Sequence, residues 1–137
     1  MSHPPVHTAN KRAILVVEDE TIIARDIAMQ LIDFGYEPIG PATTGEQAIE
    51  MAGLHRPALV LMDIHLAGTM DGIAAAQVIR DQYNLTSLFL SAFTEAGSLA
   101  RAKLAKPAGY LSKPFTEDEF SMAIEKAFSE TATDISE

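Results

Sequence analysis

Residues 13–20 read AILVVEDE: five apolar residues, rich in β-branched side chains, run straight into three acids. A short run that is apolar at every position is the pattern of a strand buried on both faces, as strands of a parallel sheet are. Downstream, Ile23, Ile27, Leu31 and Phe34 recur at helical spacing. Gly35 then stands where a left-handed C-cap closes a helix. A weaker strand is expected over residues 36–41. Pro38 has no N–H to give a ladder, which assigns this strand to a sheet edge. Thr43 with Glu46, or Thr44 with Gln47, offers a capping box to a second helix through Leu54, ended by Pro57.

The alternation continues to the end of the chain. Residues 58–62 (ALVLM) repeat the buried-strand pattern, and Asp71-Gly72 opens a third helix to about Tyr83. Residues 85–90 (LTSLFL) form the next strand, and an alanine-rich helix follows from about Thr94 to Ala105 before Pro107. A short last strand covers residues 108–112. Thr116 with Glu119 caps a fifth helix whose core face is Phe120, Ala123, Ile124, Ala127 and Phe128. Strand and helix thus alternate five times, which argues an α/β fold with a doubly wound parallel sheet. Right-handed crossovers leave few topologies. The flavodoxin-like order 2-1-3-4-5 fits best, because it sends the two weakest strands to the edges. Residues 13–129 form one domain. Residues 1–12, with Pro4, Pro5, His3 and His7, read as a disordered tail, and polar residues 130–137 as a frayed C-terminal one.

Composition removes several function classes. The 137 residues contain no cysteine, so neither a disulfide scaffold nor a thiolate zinc site is available. No apolar run approaches the roughly 20 residues that span a bilayer, and residues 1–12 carry no signal-peptide core. A cytoplasmic protein without membrane insertion is expected. The net charge of −9 disfavours direct contact with nucleic acid. The densest basic stretch, Arg101, Lys103 and Lys106, is broken by apolar residues and reads as a solvated helix face.

The polar residues fall in a pattern of their own. In an open parallel sheet, ligands bind beyond the C-terminal strand ends where the strand order reverses, here between the first and third strands. Glu18, Asp19 and Glu20 follow the first strand and Asp63 follows the third. Ser91 follows the fourth, and Lys113-Pro114 the fifth. Crowded carboxylates repel unless cations are supplied. Lys113 supplies one charge, and an oxygen-only ligand set favours a hard ion such as Mg²⁺ for the rest. A carboxylate beside Mg²⁺ and a lysine suits attack on a phosphoryl group to give an aspartyl phosphate. Mg²⁺, Lys113 and the Ser91 hydroxyl with a backbone N–H would each take one equatorial oxygen.

Taken in order, VVEDE (16–20), LMDIHL (61–66), MDG (70–72), LSAF (90–93) and GYLSKPF (109–115) resemble the receiver domain of bacterial response regulators, the two-component and chemotaxis-receiver-like family. The likeness covers nearly the whole chain outside its tails. It implies that Asp63 is the phosphoacceptor, Asp19 a direct Mg²⁺ ligand, and Glu18 a neighbour acting through water. It further implies that His65 offers the metal its main-chain carbonyl rather than its imidazole. Lys113 would pair with the acceptor, its bond to Pro114 often being cis. Ser91 would meet the phosphoryl oxygen, and Tyr110 would follow it as an aromatic switch. Three departures stand out: Glu18 where Asp is also common, a 63–72 loop one residue longer than in the simplest members with Gly68 where Pro is frequent, and His65 and Phe93 beside the path of hydrolytic water. Asp71-Gly72 reads as turn and cap only.

The expected partners are a histidine kinase or histidine phosphotransfer protein and a downstream protein target. A homodimer through the fourth helix, fifth strand and fifth helix is also open. The expected behaviour is that of a self-phosphorylating, self-dephosphorylating signalling module rather than a turnover enzyme. No room for an output domain follows the fifth helix, so the expectation is a stand-alone protein or a piece of a longer one. The alternative of the same fold is a phosphorylation-independent protein-interaction module. A dehalogenase-type phosphatase lacks its second acid here, since Ile64 and His65 follow Asp63, and no P-loop motif is present.

Overall fold

Strand β1 (Ala13–Val17) is an interior strand of the sheet, four of its five residues buried. It pairs in parallel with β2 (Glu37–Ala42) on one side and β3 (Leu59–Asp63) on the other. Beyond β3 come β4 (Ser87–Ser91) and β5 (Gly109–Ser112), giving the order β2-β1-β3-β4-β5. The computed structural model describes residues 11–92 and 96–136. The flavodoxin-like expectation holds. Residues 1–10, with His3 and His7, and residues Phe93 and Thr94 lie outside the described part.

β3 and β4 are buried at every position, whereas the edge strands β2 and β5 each bury a single residue, Ala42 and Leu111. Side chains alternate across the sheet and build two cores. Leu15, Val17, Val60, Met62 and Phe89 face helices α2 (Gly45–His55), α3 (Gly72–Tyr83) and α4 (Ala96–Leu104). Ile14, Val16, Leu59, Leu61, Leu88, Leu90 and Leu111 face α1 (Thr21–Phe34) and α5 (Glu117–Ser136).

The caps follow the sequence closely. Gly35 ends α1 with φ +96°, a conformation that costs glycine nothing. Of the two boxes open for α2, Thr44 supplies the cap, its hydroxyl accepting from the Gln47 N–H at 3.1 Å, while the Gln47 side chain accepts from the Thr43 N–H at 2.8 Å. Thr116 and Glu119 exchange both bonds of a reciprocal box, at 2.9 and 3.1 Å. Boundaries moved at several places. β3 and β4 begin and end one or two residues later than expected, because ladder pairs Asp63–Leu90 and Ser91–Ser112 carry the strands up to the polar residues. Helix α5 continues to Ser136, past the boundary expected at residue 129, since no glycine or proline stands there to stop it.

Phe120 anchors α5. It is fully buried and meets Phe34 edge-on at 5.6 Å and Phe115 at 5.2 Å between ring centroids. Truncating it removes a large buried volume between three elements. Phe120→Ala is expected to lower unfolding free energy by about 3–5 kcal/mol in urea titrations. A loss below ~1 kcal/mol would mean that α5 is not held through this ring.

Candidate functional site

The end of β1 is shaped by its neighbour. Between Leu15–Ile39 and Val17–Ala42 the β1–β2 register slips by one residue. Gly40 and Pro41 together stand opposite Val16, and the φ of +103° at Gly40 and its closeness to the Val16 carbonyl leave no room for a side chain. The slip sets Ala42 to accept from the Glu18 N–H at 2.9 Å. Glu18 is thereby held at the sheet edge with its side chain 1% exposed.

Asp63 ends β3 one strand away and is also buried. Lys113, just past β5, reaches across β4 and places Nζ 3.2 Å from Glu18 Oε1 and 3.2 Å from Asp63 Oδ2. Its main-chain N–H donates to the Ser91 carbonyl at 2.9 Å, and the Lys113–Pro114 peptide is cis. The other acceptor oxygen, Asp63 Oδ1, takes the His65 N–H at 3.0 Å. Each oxygen of Asp63 thus has a donor, and the carboxylate is fixed in orientation. Asp19 completes the group: Glu18, Asp19 and Asp63 each offer an oxygen within 4.8 Å of the others.

The electrostatics are unbalanced. One ammonium faces three carboxylates. Burial, then the negative charge of Asp63 and a hydrogen bond shared with it, push the Glu18 carboxyl up from 4.5 to about 7. Burial alone would lower the Lys113 ammonium, yet the charges of Asp63 and Glu18 outweigh it and hold the lysine above its ordinary value. Both perturbations run in the direction that a divalent cation would relieve. A set of oxygen donors with excess negative charge fits a hard cation.

The remaining sequence-singled residues are near but differently placed. Ser91 is buried at the end of β4, one residue past the Leu90 that pairs with Asp63. Tyr110 lies on β5, 37% exposed, its ring stacked against Phe89 at 6.2 Å. The His65 side chain is exposed, and its backbone rather than its imidazole meets Asp63.

Two residues carry more than their motifs indicated. The Asp71-Gly72 motif implies only a turn and cap at Gly72. A Cβ there would collide with the Asp63 carbonyl oxygen, so α3 begins hard against the acceptor's own main chain. The Gly72 N–H donates to the Ile64 carbonyl at 2.8 Å and holds that approach. Its DG signature could have flagged a close approach as readily as a turn. The local pattern around Arg101 implies a solvated helix face. It is exposed, but its guanidinium grips both carboxylate oxygens of Asp71 at 2.8 and 3.3 Å, a partner 30 residues away that no local pattern reveals.

Known proteins resemble this chain in sequence and fold. A family model, the response regulator receiver domain, matches residues 14–125. The transcriptional regulatory protein PdtaR of Mycobacterium tuberculosis is 40% identical over 118 residues, covering 86% of this chain and 57% of that protein. The chemotaxis protein CheY of Bacillus subtilis is 32% identical over 114 residues, 82% of this chain and 94% of its own. The signal receiver domain of a modulated diguanylate cyclase from Desulfovibrio desulfuricans G20 superposes with a TM-score of 0.85 at 32% identity, over 91% of this chain and 99% of that one. The chain spans about half the length of several relatives, 57% of PdtaR and 42% of the regulator PhyR from Methylorubrum extorquens.

Two outcomes follow from the geometry. Without metal, folded Glu18 keeps its proton to about pH 7, against 4.5 when unfolded. The folded state therefore binds more protons across that window, and stability falls as pH rises through it, on the order of 3 kcal/mol in all. Urea titrations in EDTA should show a fall that Glu18→Gln removes; the same slope in both proteins would place the burden elsewhere. Separately, Gly72→Ala should destabilise by about 1–3 kcal/mol through overpacking and shift the Asp63 amide resonance. An unmoved resonance with full stability would mean that α3 can slide freely.

Proposed function

Because this chain belongs to the response regulator receiver domain family, we propose that it is the phosphoacceptor of a two-component phosphorelay, with Asp63 taking the phosphoryl group in an Mg²⁺-dependent transfer. One observation carries this reading. Residues from three separate strand ends converge so that a single ammonium bridges Glu18 and Asp63 at 3.2 Å each, with Asp19 alongside. A fold held only by packing has no need to bury two carboxylates at one edge. Their burial is costly unless it serves chemistry or binding.

Asp19 and Asp63 would hold the ion directly, Glu18 through water, and His65 through its main-chain carbonyl. Bound there, Mg²⁺ supplies charge neutralisation at the phosphoryl oxygens. The chain's own residues supply position. The His65 N–H and Lys113 fix the Asp63 carboxylate for in-line approach to a phosphohistidine presented by a histidine kinase or phosphotransfer protein. An Asp63 oxygen forms the O–P bond as the P–N bond breaks. The donor imidazole leaves with that electron pair and takes up a proton. Lys113 then pairs with the phosphoryl group, and the Ser91 hydroxyl turns toward it.

Tyr110, half-way to solvent over Phe89, follows into the space that opens, and the face of α4, β5 and α5 changes for a downstream protein or a second copy of the chain. In this role the chain is consumed and restored as a signalling module rather than turning over as an enzyme. It needs no membrane insertion, and among the described residues no helix is long and apolar enough to cross a membrane.

Incubation with acetyl phosphate and Mg²⁺ should add one phosphoryl group to the wild type, stable in acid and labile in base, by intact-mass measurement. Asp63→Asn or EDTA should abolish it, and Lys113→Ala should slow it at least tenfold, the scale of a lost charge-assisted contact in the transition state. Failure of the wild type to take the group would favour a phosphorylation-independent interaction module.

A further inference from the structure

Helix α4 is docked lightly. Among its described side chains only Ala102 is buried, with Ala105 just beyond the helix end, and Leu99 and Leu104 are exposed. An alanine contributes little apolar burial beside the isoleucines of α3 or the phenylalanine of α5. Against that weak packing stands a directed contact. Arg101, in the middle of α4, bonds both oxygens of Asp71 in the fork-to-fork geometry that makes guanidinium–carboxylate pairs specific.

Asp71 is not an ordinary surface acid. It is the N-cap of α3, its Oδ1 accepting from the Ala74 N–H at 2.9 Å. The next residue, Gly72, is pressed on the Asp63 carbonyl and bonded to Ile64. The Arg101 guanidinium, with the cap bond helping, also holds the Asp71 carboxyl below its ordinary range. A continuous path therefore runs from the acceptor's main chain, through Gly72 and the Asp71 cap, to the middle of α4. No other described ion pair bridges from the acceptor loop to α4.

We propose that the Asp71–Arg101 pair is a strut that ties the position of α4 to the main chain of Asp63, so that a change at the acceptor moves α4 through it. The ligand-free half of this proposal stands on geometry alone, while the transmission half rests on the phosphoacceptor reading. Asp71 and Arg101 are positioning residues, since neither touches the reacting atoms.

Two substitutions isolate the strut. Asp71→Asn keeps a good N-cap while removing the charge, and Arg101→Gln leaves the cap untouched. In ligand-free protein, amide hydrogen exchange in α4 should quicken about three- to fivefold in either variant, the scale of one well-formed surface pair. α3 should be unchanged, and the double variant no faster than either single one. Molar salt should bring the wild type toward the variants. Unaltered α4 exchange, or additive effects in the double variant, would overturn the strut.

With Mg²⁺ and beryllofluoride added, the wild type should show a change in α4 exchange that shrinks at least twofold in both variants. Fluorine NMR would follow occupancy of Asp63 independently. Full occupancy with an equal α4 response in all three proteins would overturn the transmission. No occupancy even in the wild type would refute the phosphoacceptor reading, and the ligand-free exchange would still decide the strut.

Discussion

The ammonium of Lys113, shared between the carboxylates of Glu18 and Asp63, is the contact around which the functional end of the sheet is organised. Two buried acids at one edge would repel each other and resist folding in ionised form. The lysine offsets part of that, and it can do so only if β5 lies two strands from β3 and Lys113 leaves it in the right direction. Its backbone bond to Ser91 and its place directly after the β4–β5 ladder supply that direction. The charge left uncompensated makes the same place receptive to a divalent cation. Stability and chemistry are therefore in tension at this edge, as they commonly are where groups with shifted protonation gather.

Backbone fit carries as much weight as charge. Glycine is required at two points because main chain approaches main chain. Gly40 absorbs the register slip that lets Ala42 hold the Glu18 amide, and Gly72 lets α3 begin against the Asp63 carbonyl. The acidic side chains are thus positioned by strand ends and helix starts rather than by long loops. Positions set by regular structure vary less, and a transfer reaction that relies on alignment depends on that.

The helices differ in how firmly they are held, even on one face of the sheet. α5 is anchored by a cluster of aromatic rings, and α3 by five buried residues from Gly72 to Ile79. α4 has small side chains against the sheet and an ion pair to a neighbouring helix. Low apolar burial is the physical content of a segment that can move at small energetic cost. Such a segment beside the site is where a local change of charge can be converted into a change of surface.

Most of this was legible in the amino-acid sequence, for a definite reason. Hydrophobic period, glycine and proline punctuation and capping boxes are local, and each acts within a few residues. They determined the five strands, the five helices, the two edge strands, and the Gly35 and Thr116 caps, and left two candidates for the α2 cap, of which the structure uses Thr44. With the handedness of crossovers they also determined the strand order, and so brought Glu18, Asp19, Asp63, Ser91 and Lys113 to one edge. Only the tertiary structure decided what depends on residues far apart in the chain. The slip at Gly40 depends on two strands aligning, the pressure of Gly72 on Asp63 depends on a helix start meeting a strand end, and the partner of Arg101 lies on another helix. A pattern read along one strand of sequence holds no distance between such residues, because that distance exists only once the sheet has closed beneath them.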